Sequence, residues 1–220
     1  MSQSFAIDPT RLPQQTYKKV LVRLAQNCRQ GPFTATSGAV LEYLLAAASN
    51  MFDRAVAASV TDLLTFCIQN HMLPQLKATN KPIVIVGPEM AGGVMVGQLV
   101  SNPTNSLPVT VSFCYLRKDR KQSGTRQQLE GPSSLTCRTP TSEPIDAIWV
   151  DDVISTGGSL RTGAELLKND YNMNVVGALF LVDRSKDRSK PVTFPGISVM
   201  AVMDDLSVES HFQRPAVSKL

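Results

Sequence analysis

The chain of 220 residues is long enough for one sizeable α/β domain, and its 43% hydrophobic and 18% charged residues are ordinary for a globular protein. The net charge of +4 is mild, and the basic residues concentrate at 117–126 and 184–190, which indicates local anion sites and argues against a nucleic-acid-binding face. The opening MSQSFAIDPTR has no secretory pattern, no apolar run approaches a membrane span, and the four cysteines form no CxxC pair. These features predict a soluble, cytoplasmic protein with reduced thiols.

The first quarter of the chain predicts a small unit of its own. Residues 1–13 are polar and read as a loose arm, and apolar residues then recur at helical spacing from Thr16 to Cys28. FTATSG (33–38) alternates like a strand, and EYLLAA (42–47) is either its antiparallel partner or a helical segment. Asp53 suits the N-cap of a helix that reaches about Met72.

Short β-branched strands then alternate with helical patterns. The strands are IVIVG (83–87), VTVSFCYL (109–116), AIWV (147–150), VVGALFLVDR (175–184) and ISVMAV (197–202), and the tail after Asp205 is polar. This alternation predicts a mostly parallel sheet whose ligands bind at the carboxyl ends of the strands. Four polar or glycine-rich clusters follow strand ends, at 87–93, 117–126, 151–159 and 183–186. The sequence therefore predicts one site at one edge of the sheet.

The most informative stretch is AIWVDDVISTGGS (147–159). A buried strand is followed by two carboxylates, Asp151 and Asp152, by small hydroxyl and glycine residues, and by an amphipathic helix. Backbone N–H groups at such a helix start bind anions. Paired aspartates beside that turn suit a ligand that also carries hydroxyls or a metal, so the stretch points to a sugar phosphate.

AIWVDDVISTGGS resembles the ribose-5-phosphate loop of type I phosphoribosyltransferases, which use phosphoribosyl pyrophosphate. YLRKDRKQSGTRQQLEG is similar to the flexible catalytic loop of the orotate phosphoribosyltransferases, and GPFTATSG and VDR (182–184) match two further stretches of that family. The resemblance runs from about residue 16 to 203. It implies an α/β fold with a mostly parallel five-stranded sheet flanked by helices, in one domain over 16–205. A helix and hairpin hood (about 16–52) would cover it, between a polar arm (1–15) and a polar tail (206–220).

The resemblance also assigns roles to individual residues. Asp151 and Asp152 would hold the ribose hydroxyls, and Lys121 would reach the pyrophosphate, assisted by Arg117 and Lys118. Arg184 would pair with the carboxylate of orotate. The 5-phosphate would be wrapped by Ser155, Thr156, Gly157, Gly158 and Ser159, of which Ser155 would also meet the base, and Gly87 to Gly93 would donate N–H groups to the pyrophosphate.

The implied reaction transfers phosphoribosyl to orotate and gives orotidine 5′-phosphate and pyrophosphate, a step of pyrimidine nucleotide biosynthesis. The cofactor is Mg²⁺, held mainly by the substrate rather than by dedicated protein ligands. In the family the basic loop closes over the neighbouring subunit's site, so a homodimer is implied, with no nucleic-acid or membrane partner.

Several positions depart from the family pattern. Gln122 and Ser123 replace an aspartate and a histidine of the loop, Thr36 replaces a common lysine, and EYLLAAA (42–48) lacks the charges found there in many members. Two alternative functions therefore stay open: a phosphoribosyltransferase for another nucleobase, and a non-catalytic regulator that binds a phosphoribosyl ligand. Retention of Arg117, Lys118 and Lys121 argues against the regulator.

The site residues have structural alternatives as well. Asp151 and Asp152 could cap the turn and helix that follow them. Arg184 could be a surface arginine in the run RSKDRSK (184–190), and Lys121 could serve solubility alone.

Overall fold

The fold is described from a computed structural model of the chain. It describes residues 5–34, 40–76, 82–102, 107, 111–123, 127–185 and 193–212, except for the side chains of residues 41 and 42. Within those residues, no helix combines the length and the apolarity needed to cross a lipid bilayer.

A six-stranded sheet forms the centre of the molecule, in the order β5-β4-β3-β6-β7-β8. Five of its strands run parallel, which confirms the predicted sheet, and a short antiparallel β5 is added at one edge. The strands are β3 (Ile83–Pro88), β4 (Val111–Leu116), β5 (Leu129–Glu130), β6 (Ile145–Ile154), β7 (Met173–Asp183) and β8 (Ser198–Asp204). Strand order reverses between β3 and β6, and open α/β sheets bind ligands at such a switch point.

Helices cover both faces of the sheet. They are α1 (Gln14–Gln26), α2 (Arg54–Cys67), α3 (Leu73–Gln75), α4 (Ala91–Ser101), α5 (Ser133–Thr136), α6 (Gly158–Tyr171) and α7 (Asp205–Phe212). The Asp53 side chain accepts hydrogen bonds from the N–H groups of Ala55 and Val56, which confirms it as the N-cap of α2. The helix predicted to reach Met72 does so through a π-helical turn over Ile68–Met72.

Alternate residues of the central strands contribute to two apolar cores, one on each face of the sheet. Ile148 and Val150 of β6 face the core shared with α1, α2 and α4, whereas Trp149 faces the core shared with α6. A strand buried on both faces reads as a continuous apolar run, and this explains AIWV. β6 is therefore fixed from both sides up to the point where Asp151 begins.

The N-terminal unit is a hairpin of β1 (Cys28–Thr34) and β2 (Val40–Leu45), paired antiparallel with a register shift between Gln30 and Phe33. The strand reading of EYLLAA is therefore correct and the helical one wrong. The first strand begins at Cys28, five residues before the predicted start at Phe33, and residues 35–39, including Thr36, lie outside the described part.

Both ends of the chain are more ordered than the polar pattern predicted. The arm is not loose over residues 5–12, because the Ile7 N–H donates to the Ala201 carbonyl and the Ala201 N–H to the Phe5 carbonyl, each at 2.8 Å. The tail is not simply polar either. Its first seven residues, 206–212, belong to α7, in which Val208 is fully buried against the core shared with α1.

The contact between Gly163 and Trp149 yields a stability prediction. A Cβ at Gly163 would lie 2.2 Å from Cη2 of Trp149, which is 1% exposed and cannot move aside. We expect Gly163→Ala to lower the free energy of unfolding by about 1–3 kcal/mol, as overpacked cores do. Thermal denaturation would show a fall of roughly 2–4 °C for each kcal/mol.

The matched control is Gly97→Ala in α4, where a Cβ meets no atom within 4 Å. It should be neutral or stabilising, because alanine is favoured over glycine inside a helix by roughly 0.5–1 kcal/mol. Equal melting temperatures for the two variants would contradict this packing account.

Candidate functional site

The site forms where β6 extends beyond β3. Pairing between these strands ends at Val86 and Trp149, whereas β6 continues beside β7 to Ile154. The space that β3 leaves is filled by the start of α4. A Cβ on Gly92 would lie 2.5 Å from the carbonyl oxygen of Val150, so only glycine allows this approach. The turn 87–93 is thereby held against the strand that carries the two aspartates.

Asp151 is 9% exposed at the end of β6. One of its oxygens, Oδ1, accepts a hydrogen bond of 2.9 Å from the N–H of Asp152, and its carboxylate also accepts from the N–H of Gly92. Burial, followed by repulsion from Asp152, raises the pKa of Asp151 from an ordinary 3.8 to about 8. The ligand-free site therefore disfavours the anionic form of this residue.

Asp152 is half-buried and experiences the same penalty. Burial raises its pKa, while backbone N–H groups of Val153 and Ala48 and a hydrogen bond to Asp151 partly offset the effect. Ala48 begins the turn that links β2 to α2. The two adjacent carboxylates thus contact the start of α4 on one side and the hood connection on the other.

The turn after β6 is built to receive an anion. Gly157 is the N-cap of α6 and adopts φ 71°, a left-handed conformation that favours glycine, and it provides no side-chain cap. The N–H groups of the first helical turn are therefore left for a ligand, at the positive end of the helix dipole. Four residues around these N–H groups are exposed and could contact a bound ligand: Ser155, Thr156, Gly158 and Ser159. The aspartates do not cap this helix, so that alternative is wrong.

Arg184 follows β7, next to the anion-binding turn. Its N–H donates to the carbonyl of Ile154 at 2.7 Å, which brings its backbone beside Ser155. The side chain is only 7% exposed, so the surface alternative is wrong. Its Nε lies 3.1 Å from Oδ1 of Asp205, and its guanidinium carbon lies 4.7 Å from the centre of the Tyr43 ring.

The basic segment leaves β4 and returns to β5. The N–H of Arg117 donates to the carbonyl of Gln128 at 2.9 Å, and the Gln128 amide donates to the carbonyls of Arg117 and Lys118. The N–H of Lys118 donates to Oε2 of Glu89 at 2.8 Å. Glu89 lies in the turn 87–93, so this bond ties the base of the basic segment to the neighbouring anion-binding turn.

The tip of the basic segment points away from the paired aspartates of its own chain. Nζ of Lys121 lies 2.5 Å from Oε1 of Glu130, and Nη2 of Arg120 lies 2.5 Å from Oδ2 of Asp170. Asp170 is near the C-terminal end of α6, a helix about 20 Å long whose first turn is the anion site. The structure therefore does not bring Lys121 to the aspartates, although Asp151, Asp152 and 155–159 lie together as predicted.

Sequence reasoning missed several residues around the site. The sequence patterns gave no role to four of them: Glu89, Tyr43, Glu130 and Asp205. Their partners lie 9 to 162 residues away in sequence, so no short motif joined them to those partners. Of the departures from the family pattern, Gln122 and Ser123 are exposed. Within the described residues, no group of three or more His, Cys, Asp or Glu side chains could hold a metal.

The raised pKa of Asp151 predicts a pH-dependent cost to folding. A carboxyl whose folded pKa lies above its unfolded value stabilises at acid pH, and that stability is lost as the pH rises from about 3.8 to about 8. Asp151→Asn keeps an oxygen acceptor for the Asp152 N–H and removes the charge. We expect its melting temperature without ligand to exceed that of the wild type by roughly 4 °C or more at pH 8, and the gap to narrow towards pH 5.

Asp146→Asn, at the other end of β6, is the control for removing one negative charge from the strand. A lower melting temperature for Asp151→Asn than for the wild type at pH 8 would show that the buried carboxylate stabilises the fold as an anion, contrary to this account.

Comparison with known proteins agrees with this geometry. A family model described as the phosphoribosyl transferase domain matches residues 48–198. The orotate phosphoribosyltransferase of Picrophilus torridus is 30% identical over 126 residues, which are 54% of this chain and 70% of that protein. The orotate phosphoribosyltransferase of Bifidobacterium longum is 24% identical over 201 residues, which are 84% of this chain and 81% of that protein.

Solved structures show the same fold at lower identity. The orotate phosphoribosyltransferase from Aeropyrum pernix has a TM-score of 0.61 at 22% identity, over 90% of this chain and 98% of that one. The enzyme of the same name from Mycobacterium tuberculosis has a TM-score of 0.62 at 16% identity, over 88% and 98%. Because the family model spans more than half of the chain, and the Picrophilus relative is matched over more than two thirds of its length, the chain belongs to the phosphoribosyltransferase family, in its orotate branch.

Proposed function

We propose that the protein is an orotate phosphoribosyltransferase of pyrimidine biosynthesis, active as a cytoplasmic homodimer with Mg²⁺. The observation that carries the proposal is the end of β6, where one buried and one half-buried carboxylate are followed at once by an uncapped helix start. A sugar phosphate needs both features, because its phosphate is an anion and its hydroxyls are hydrogen-bond donors.

Ligand binding would offset the cost of burying the two carboxylates. The 5-phosphate accepts hydrogen bonds from the first turn of α6 and from the hydroxyls of Ser155, Thr156 and Ser159. The ribose 2- and 3-hydroxyls donate to Asp151 and Asp152. Donors to a carboxylate favour its charged form, so this contact offsets the burial that raises both pKa values.

The carboxylate pair also fits a magnesium ion that arrives with the substrate. Mg²⁺ retains several waters and is commonly bound through one or two carboxylates plus substrate phosphates. Asp151 and Asp152 are the carboxylates that would face it. When bound, the ion neutralises charge on the departing pyrophosphate.

The chain's own cations complete the stabilisation of that charge. As the base nitrogen bonds to the anomeric carbon and gives up its proton, the carbon–oxygen bond to pyrophosphate breaks and its electron pair leaves with the pyrophosphate. Arg117, Lys118 and Lys121 would stabilise the leaving group, and closure of their segment would exclude water. Nε of Arg117 is buried without a hydrogen-bond partner among the described residues, so its N–H is available to donate to a pyrophosphate oxygen.

Lys121 must exchange Glu130 for pyrophosphate in this scheme. The side chains of this pair are 37% and 35% exposed, and exposed ion pairs contribute about 0–1 kcal/mol, so the exchange is inexpensive. Asp170, which holds Arg120, lies at the opposite end of α6 from the anion-binding turn. The basic segment is therefore better placed to act on the partner's site than on the site of its own chain. Arg184, adjacent to Ser155, would bind the carboxylate of orotate.

The activity is tested by following orotate spectrophotometrically with phosphoribosyl pyrophosphate and Mg²⁺. We expect orotate consumption that depends on both additions. Turnover of guanine, hypoxanthine or uracil instead would establish another base specificity, and phosphoribosyl binding without any turnover would establish a regulator.

Lys121→Ala tests the role of the basic segment. Loss of a charged donor to a leaving group costs roughly 10²-fold in turnover, and we expect at least that decrease in kcat with orotate. Lys168→Ala, which removes an exposed lysine of α6, is the matched control and should retain wild-type kcat. An unchanged rate in Lys121→Ala would remove this lysine from the mechanism.

Mixing two inactive variants tests the shared site. In a mixed dimer of Lys121→Ala and Asp151→Asn, action across subunits puts both defects in one site and leaves the other intact. Co-refolded variants should therefore regain about one quarter of wild-type activity, since half of the dimers are mixed. No recovery, with mixed dimers demonstrated by mass spectrometry, would show that the segment serves its own chain.

A further inference from the structure

Arg184 belongs to a buried cluster that no role assigned so far explains. Three elements contribute to the Arg184 cluster: Tyr43 from β2, Arg184 from the end of β7 and Asp205 from the start of α7. Their exposed fractions are 4%, 7% and 9%. The Tyr43 ring also stacks on Phe212, with ring centres 5.8 Å apart.

A single carboxylate oxygen connects the cluster. Oδ1 of Asp205 accepts the hydroxyl of Tyr43 and lies 3.1 Å from Nε of Arg184. Burial and the bond to Asp205 raise the pKa of Tyr43, so its hydroxyl stays protonated and acts as the donor. The guanidinium plane is covered by the Tyr43 ring, and both partners restrict its orientation.

The guanidinium nevertheless keeps unused donors. Nε and Nη2 are both fully buried without a hydrogen-bond partner among the described residues, because the contact of Nε with Asp205 is close but poorly aligned. Buried polar groups are rarely left unpaired, and an unpaired donor on a charged group is costly. An unpartnered nitrogen on a side chain that is 93% buried points to a ligand acceptor.

We infer that Tyr43 and Asp205 are positioning residues for base recognition, which orient the Arg184 guanidinium so that its free N–H groups meet the acidic group of the base. The inference rests on the proposed function, and extends it to two residues on the hood and on α7. Asp205 also balances much of the arginine charge.

The arrangement favours acidic bases over neutral ones. A base with a carboxylate supplies the missing acceptor, whereas one without it leaves the buried donors unpaired. Sites built to hydrogen-bond a substrate group reject analogues that lack it more strongly than apolar pockets do. Loss of the orienting contacts should therefore weaken binding of the acidic base and reduce the preference for orotate over uracil.

The experiment compares Tyr43→Phe and Asp205→Asn with the wild type. Tyr43→Phe keeps the ring over Arg184 and removes only the hydroxyl. We expect the KM for orotate to rise roughly tenfold or more, as loss of one buried hydrogen bond to a charged group predicts. The KM for phosphoribosyl pyrophosphate should stay within about twofold, because the hydroxyl that Tyr43→Phe removes is bonded to Asp205 and not to a residue assigned to that substrate.

The matched control is Tyr17→Phe, which removes another largely buried tyrosine hydroxyl that contacts α7, through Ser207. Tyr17→Phe should lose about as much stability as Tyr43→Phe, but its KM for orotate should stay unchanged. A merely structural role for Tyr43 would give the two variants the same kinetics, and would overturn the inference.

The measurements on the wild type and on the variants distinguish a failure of the proposed function from a failure of this inference. Wild-type protein that consumes no orotate would overturn the proposed function, and this inference with it. Wild-type turnover with an unchanged KM for orotate in Tyr43→Phe would overturn the inference alone. If Asp205→Asn does not fold, the KM for orotate of Tyr43→Phe still tests the inference. If both variants fold, the double variant should have a KM for orotate no higher than that of the more impaired single variant, because the two residues act through one network.

Discussion

The site depends on withdrawing two adjacent carboxylates from solvent at the end of β6. Neither is paired with a cation among the described residues. Backbone N–H groups offset their burial: first those of the next residues, Asp152 for Asp151 and Val153 for Asp152, and then those of other segments, Gly92 at the start of α4 for Asp151 and Ala48 in the hood connection for Asp152. These bonds bring a turn, a strand end and the hood to one point. The switch in strand order makes this possible, because β3 ends its pairing early and leaves room for the start of α4.

Local signals explain why much of this could be predicted from sequence. AIWV reads as a buried strand because helices cover both faces of the sheet, and STGGS reads as an anion turn because Gly157 must adopt a left-handed conformation before α6. Asp53 identified the start of α2 because an N-cap acts only two or three residues along the chain. Motifs whose physics is contained within about fifteen residues could be found without tertiary information.

Other features depend on tertiary contacts and could not be found in this way. Tyr43 and Asp205 are bonded to each other although they are 162 residues apart in sequence, and the polar arm pairs with β8. The tail offered a weak signal, because Asp205, Val208 and Phe212 have helical spacing, yet the surrounding DDLSVES is polar enough to conceal it. The ion pairs of Lys121 and Arg120 could not be predicted either, because a run of basic residues does not indicate which carboxylates they contact in the fold.

The two sets of cations are held in physically different ways, and this difference bears on how the proposed reaction proceeds. Arg184 is buried against an aromatic ring and a carboxylate, so its orientation is fixed before any ligand arrives. Lys121 and Arg120 are held by pairs that are about one third to one half exposed, so solvent and salt compete with them continuously. In the proposed reaction, base recognition by Arg184 would therefore be preformed, whereas stabilisation of the leaving group would be recruited by the charge of the pyrophosphate itself. Such an arrangement would delay closure of the basic segment until the activated sugar is bound, when protection from hydrolysis first becomes necessary.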